Sequence, residues 1–153
     1  MASPSPLAEE RWQLTQRVWN ELRADNLEIL NDYYDPELRF QDPISSIKGL
    51  ESMKAYYENL YQNVKDIEFE FTHFLYDETQ QFFSWTMRLK AKGLNRGRPV
   101  AVEGTSYLRF SEESGKVIQH RDYFDTGEFI YDNIFGLRWI HRMVRRQLHG
   151  SQP

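Results

Sequence analysis

The sequence predicts an α+β domain in which a strongly curved antiparallel sheet wraps around helices, and three observations carry that expectation. Apolar residues recur at helical spacing through the first third of the chain. Alternation of period two then dominates from residue 67 to residue 124, and the two patterns stay segregated along the chain, as in α+β proteins. At 153 residues the length suits a single core that buries roughly two thirds of the unfolded surface. Aromatic residues make up 15% of the chain, so that core must be built largely from rings.

The elements come in order. Ser5 before Pro6 is an N-cap with proline at N1, and Leu7, Trp12, Leu14, Val18, Trp19 and Leu22 continue the first helix. Asp25-Asn26 interrupts it, and Leu27, Leu30 and Tyr34 give a short second helix that Asp35-Pro36 ends. From Glu37 a strand places Leu38, Phe40 and Asp42 on one face and Arg39 and Gln41 on the other, and stops at Asp42-Pro43. Ser45, Ser46 and Gly49 read as a loop, after which Leu50, Met53, Tyr57, Leu60 and Val64 mark a third helix. That helix is expected to pack on a concave sheet face holding Phe69, Phe71, Trp85 and Met87. Two long strands come next, one directing Ile67, Phe69, Phe71, His73 and Leu75 to one side and the other Phe83, Trp85, Met87, Leu89 and Ala91, with a turn at Asp77-Glu78-Thr79. The loop from Gly93 to Pro99 leads to strands at Val100–Phe110 and Val117–Phe124, joined at Ser114-Gly115. Past Gly127, Phe129, Ile134, Leu137, Ile140, Val144 and Leu148 suggest a last helix, rich in arginine. The domain reading is a disordered lead at 1–6 and one domain at 7–150, with 134–149 a basic helix whose polar side is read as a solvated face.

Composition narrows function. A net charge of −4 does not favour nucleic acid. No cysteine is present, which removes disulfides and thiolate chemistry. The segment from Met1 to Leu7 has no secretory character and no stretch approaches a membrane span, so a cytoplasmic protein is expected. His73, His120, His141 and His149 show no metal-ligand spacing, and phosphate-cradling or nucleophile-elbow motifs are missing. No metal and no cofactor are expected.

Four stretches carry a family resemblance: Arg-Ala-Asp-Asn-Leu at 23–27, Phe40-Gln41-Asp42-Pro43, Gly49 opening the third helix, and Gly115-Lys116-Val117-Ile118 followed by His120-Arg121-Asp122-Tyr123-Phe124-Asp125. With the order of elements they resemble the nuclear transport factor 2-like superfamily over about residues 10 to 132, in its SnoaL-like and ketosteroid isomerase-like branch. The resemblance implies a cone-shaped, cystatin-like fold around a small-molecule pocket. It implies no single chemistry, because that fold hosts isomerases, cyclases, hydrolases and proteins without catalysis.

Two carboxylates stand out. Strand parity puts Asp42 beside Leu38 and Phe40, where burial would raise its pKa and suit it to act as a general base. The alternative is that Asp42 caps the turn with Pro43. Asp125 lies in the segment that resembles the acid-bearing part of SnoaL-like cyclases and epoxide hydrolases, and parity would turn Tyr123 and Asp125 inward together. Its alternative role is an N-cap before Thr126-Gly127. His120, beside Asp122, is a third acid–base candidate. Phe40, Tyr57, Trp85, Tyr107 and Tyr123 are the expected pocket lining. By the resemblance, the donors that hold an isomerase's enolate fall on Val18 and near Ser106, and an acid of the epoxide hydrolases falls on Thr86, which argues against both of those reactions. The expectation is therefore a cofactor-independent acid–base protein on a small, largely apolar molecule; the alternative is a non-catalytic ligand-binding or assembly module. Apolar residues on both faces of several strands further predict a homodimer through the free sheet face.

Overall fold

The computed structural model describes residues 3–127, and the expected last helix at 134–149 lies outside them. Helix α1 spans Pro6–Glu21, and its N-cap Ser5 accepts from the Ala8 amide at 3.2 Å, so the proline at N1 gives up only an N–H that would be orphaned anyway. Trp12, Thr15, Val18 and Trp19 form its buried face. A 3₁₀ turn at Leu27–Ile29 runs into α2, Leu30–Tyr33, which is one turn long because strand β1 begins already at Tyr34 and continues to Gln41. The segment read as a loop after Pro43 is a strand: β2, Ser46–Lys48, pairs antiparallel with β1, Gln41 opposite Ser46 and Arg39 opposite Lys48. The Asp42 carboxylate makes that reversal possible by accepting from the amides of Ile44 and Ser45. Gly49, at φ 90° and ψ 149°, then turns the chain into α3, Leu50–Tyr61, through a conformation open only to glycine. Val64, expected at the end of that helix, starts β3 instead.

Strands β3 (Val64–Tyr76), β4 (Gln80–Ala91), β5 (Val100–Phe110) and β6 (Val117–Phe124) form an antiparallel meander. Strand β1 joins β6 in parallel, giving a mixed, unclosed sheet of order β2-β1-β6-β5-β4-β3. Two bulges decide which side chains face inward. In β3, Phe71 opposes Trp85 and His73 opposes Ser84, so Thr72 is the extra residue. In β6, Val117 opposes Phe110 and Gln119 opposes Arg109, so Ile118 is the extra residue. Each bulge reverses the parity of the residues beyond it. His73 and Leu75, expected inside, face outward, and Phe74 and Tyr76 take the inner side, stacking on Trp12 at 5.0 and 5.4 Å.

The core lies between α1 and the inner sheet face. Trp12 and Trp19 contact Phe69, Phe71, Phe83 and Trp85 at ring separations of about 5 to 6 Å. Helix α1, not α3, therefore covers Phe69, Phe71 and Trp85, while α3 stands over β1 and β2. Gly104 in β5 lies directly under the Trp85 ring, where a β-carbon would overlap three ring atoms. The outer face carries the neighbouring residues Leu75, Phe82 and Tyr107, with Leu75 64% exposed. Arg39, Lys48, Arg109 and Arg121 lie at its β2–β5 corner, and Glu68, Glu70 and Glu103 at the opposite one, where Arg88 pairs with Glu70 at 2.8 Å.

Candidate functional site

The displacement of α3 from the sheet centre leaves a cavity of about 340 Å³, within the range of small-molecule sites. Its walls come from α1 (Val18, Trp19, Leu22), α3 (Tyr56, Tyr57, Tyr61) and the inner sheet face, including Phe40, Trp85, Met87 and Phe124. Two carboxylates, Asp42 and Asp122, interrupt a mostly apolar lining whose other polar members include Asn59, Asn63 and Lys92.

Asp122 is held rigidly. Its Oδ1 accepts from the Ser106 hydroxyl and lies 2.7 Å from Nε2 of His120. Trp85 in turn donates Nε1–H to the Ser106 oxygen at 2.8 Å. His120 is 1% exposed and sandwiched by rings, with Trp19 stacked on it at 5.5 Å and Phe40 edge-on at 4.9 Å. Its Nδ1 meets the Tyr34 hydroxyl at 2.6 Å. Burial pushes the Tyr34 phenol well above its ordinary pKa, so it keeps its proton. Nε2, facing a carboxylate oxygen, is the donor of its pair with Asp122, and in the neutral ring Nδ1 is then left to accept from Tyr34. Tyr57, 3.4 Å from the Tyr34 hydroxyl, extends the chain back to the cavity. Burial likewise raises the Tyr56 and Tyr57 phenols, so both remain hydrogen-bond donors.

Asp42 caps the β1–β2 turn, the second of the two roles read for it, and it also lines the cavity, with Tyr56 donating to Oδ2 at 3.3 Å. Burial raises its pKa, the backbone amides of Ile44 and Ser45 oppose that, and the charge of Asp122 adds to the rise. The folded state thus holds the Asp42 proton more tightly than the unfolded chain, whose aspartates titrate near about 3.9. Stability from this group is full below that value and is lost as pH rises through the folded pKa. Surface carboxylates such as Asp77, lowered by bonds from Thr79, act in the opposite sense, so the group must be isolated by difference. Urea denaturation of wild type and Asp42→Asn across about pH 3.5 to 7 should show wild type losing ground to the variant as pH rises; a constant difference would mean that Asp42 is not desolvated.

The other expected site residues divide. Phe40, Tyr57 and Trp85 line the cavity. Tyr107, Tyr123 and Asp125 do not: Tyr107 alternates to the outer side of β5, between buried Ser106 and Leu108, and the other two correct the inward parity read for β6. Counting from the buried Val117 makes 119, 121, 123 and 125 inward, and the extra residue at Ile118 transfers that side to His120, Asp122 and Phe124. Tyr123 is 48% exposed under the Arg121 guanidinium, and Tyr107 bonds Gln80 on the exterior. Asp125 accepts from the Gly127 amide at 2.7 Å in an exposed turn, as a cap would. Asp122 is the cavity carboxylate that strand parity alone passed over. Its signal is the pairing of Asp122 opposite Ser106, a buried polar residue beneath Trp85, which shows only once the register of β5 and β6 is known.

A conical mixed sheet folded against helices is the architecture of the nuclear transport factor 2-like class. Within that class the chain belongs to the SnoaL-like domain family, whose model matches residues 15–120. Solved structures agree on the fold. A protein from Shewanella denitrificans OS-217, provisionally classed as a SnoaL-like polyketide cyclase, superposes with a TM-score of 0.71 at 16% identity, over 84% of this chain and 97% of that one. An epoxide hydrolase of M. tuberculosis, of the LEH-like type, gives 0.68 at 17% identity, over 86% and 95%. An NTF2-like protein of unknown function from Burkholderia pseudomallei K96243 gives 0.69 at 16% identity, over 83% and 97%. Comparison with curated proteins gives no match.

Proposed function

We propose that the cavity binds a small, largely apolar molecule and that Asp122 moves a proton on it, without a cofactor. The observation that carries this reading is the asymmetry of Asp122: Oδ1 is occupied by His120 and Ser106 while the carboxylate lines the cavity. Such support holds a general base in one orientation and leaves its second oxygen for the substrate. Deprotonation next to a carbonyl also needs donors for the developing oxyanion. The isomerase positions at Val18 and Ser106 do not provide them by sequence, and the protonated phenols of Tyr56 and Tyr57 on α3 take that role in this reading by turning their hydrogens from Asp42 and Tyr34 to the substrate. The test is deuterium wash-in next to the carbonyl of a panel of small cyclic ketones, followed by mass spectrometry. Wild type should accelerate exchange on some members, and Met87→Trp, which fills the cavity, should abolish that acceleration while the protein stays folded. Exchange that survives Met87→Trp, or none on any ketone that binds, defeats the catalytic reading.

The same chain is proposed to pair through its outer sheet face. Leu75, Phe82 and Tyr107 form an apolar strip between a basic and an acidic corner, so a two-fold axis in the plane of contact can oppose unlike corners. Light scattering at low-micromolar concentration should give a dimer for wild type and a monomer for Phe82→Lys. A wild-type monomer overturns this.

A further inference from the structure

We propose that the ligand of this cavity is a lipophilic cation, an amine protonated or quaternised on an otherwise apolar body of ring size, held between the carboxylates of Asp42 and Asp122 and the surrounding aromatic faces. The inference rests on reading the cavity as a ligand site and goes further by naming what enters it.

The charge inventory of the walls leads there. Among the described residues, three ionisable acidic or basic groups other than phenols line the cavity: Asp42, Asp122 and Lys92. Lys92 is exposed and, among the described residues, forms no ion pair with either carboxylate. Arg23, whose charge reaches Tyr61, spends its guanidinium on the carbonyls of Asn20, Leu22 and Ile67 and is not part of the lining. Among the described residues Asp42 forms no ion pair, and Asp122 has only the histidine. Within that set, two carboxylates in each other's field and in apolar surroundings are short of positive charge.

The field is felt throughout the site. The negative charge of Asp122 contributes to the suppressed acidity of Tyr33, Tyr34, Tyr56 and Tyr57 and to the raised pKa of Asp42. An anionic ligand would add to this repulsion and a neutral one would leave it in place. A cation relieves it.

The remaining walls specify what kind of cation. Trp19, Trp85, Phe40, Tyr56, Tyr57 and Phe124 present ring faces and edges around the carboxylates. Aromatic faces attract weakly hydrated organic ammonium groups, most strongly when desolvated. A bare metal ion fits poorly: among the described residues no group of three or more His, Asp or Glu side chains is placed to hold one.

The test uses a matched pair that differs in charge and almost nothing else: benzyltrimethylammonium and its neutral carbon isostere neopentylbenzene. Binding is read by quenching of tryptophan fluorescence, since Trp19 and Trp85 line the site, and by calorimetry. Wild type should bind the cation more tightly than the isostere by about tenfold or more. Asp42→Asn and Asp122→Asn should each narrow that preference, and the double variant should lose it while still binding the isostere, which also shows that the variant is folded. Equal or tighter binding of the isostere by wild type overturns the cation and leaves the apolar pocket standing. A preference that persists in the double variant overturns it too. If neither compound binds, the pocket reading falls together with this inference.

Discussion

Asp122→Asn is expected to slow proton exchange on any ketone that wild type turns over by about 100- to 10,000-fold, the usual worth of a positioned general base. Asparagine keeps the shape, and its side-chain oxygen can still accept from Ser106 and His120, so the substitution removes a proton acceptor more than a structural support. Binding of the same ketone should change far less than turnover, which separates a group acting in the transition state from one that merely lines the site. Asp125→Asn is the matching control. Its carboxylate sits in an exposed turn, and asparagine also caps well, so neither rate nor stability should move measurably. Loss of exchange in Asp125→Asn with retention in Asp122→Asn would reverse the assignment of the two acids and with it the orientation of β6.

The largest effect on stability is expected from Gly104→Ala. The added methyl would overlap three atoms of the Trp85 ring, a buried side chain that is also anchored through Nε1 to Ser106. Neither group can move cheaply, because the ring is packed against Trp19 and Phe69 and the backbone of β5 is paired on both sides. Overpacking of this kind costs about 3 kcal/mol, readable by urea denaturation. The cost arises from one contact, so Trp85→Phe in the same chain should recover part of it, and the two substitutions should be non-additive. Wild-type stability in Gly104→Ala would mean that the ring does not lie over β5.

How far the sequence could be read depends on which physical rule applied at each position. Helix boundaries at Ser5-Pro6 and Gly49 were legible because capping and backbone freedom are local properties of the residues themselves. The inward set of β4, from Phe83 to Ala91, was legible because that strand keeps its alternation unbroken. Asp42 was placed on the inner face for the same reason, one step past the regular second half of β1 from Leu38 to Gln41. The failures at His73, Leu75, Tyr123 and Asp125 share one cause. Parity is counted along a strand, but a bulge is set by the partner strand's register, which no single segment encodes. The β2 hairpin was missed because three residues are too few for a period to declare itself. The pairing of Asp122 with His120 and Ser106 depended on that same register.

The extra residue at Ile118 therefore has a genetic meaning as well as a geometric one. Deleting that one codon would restore plain alternation and leave His120, Asp122 and Phe124 inward, because every residue beyond it keeps its partner on β5. A lineage could therefore gain or lose the bulge by a single in-frame insertion or deletion without exchanging its interior acid. Where a relative lacks the extra residue, matching letters across this strand without a one-residue gap would equate an inward aspartate with an outward residue.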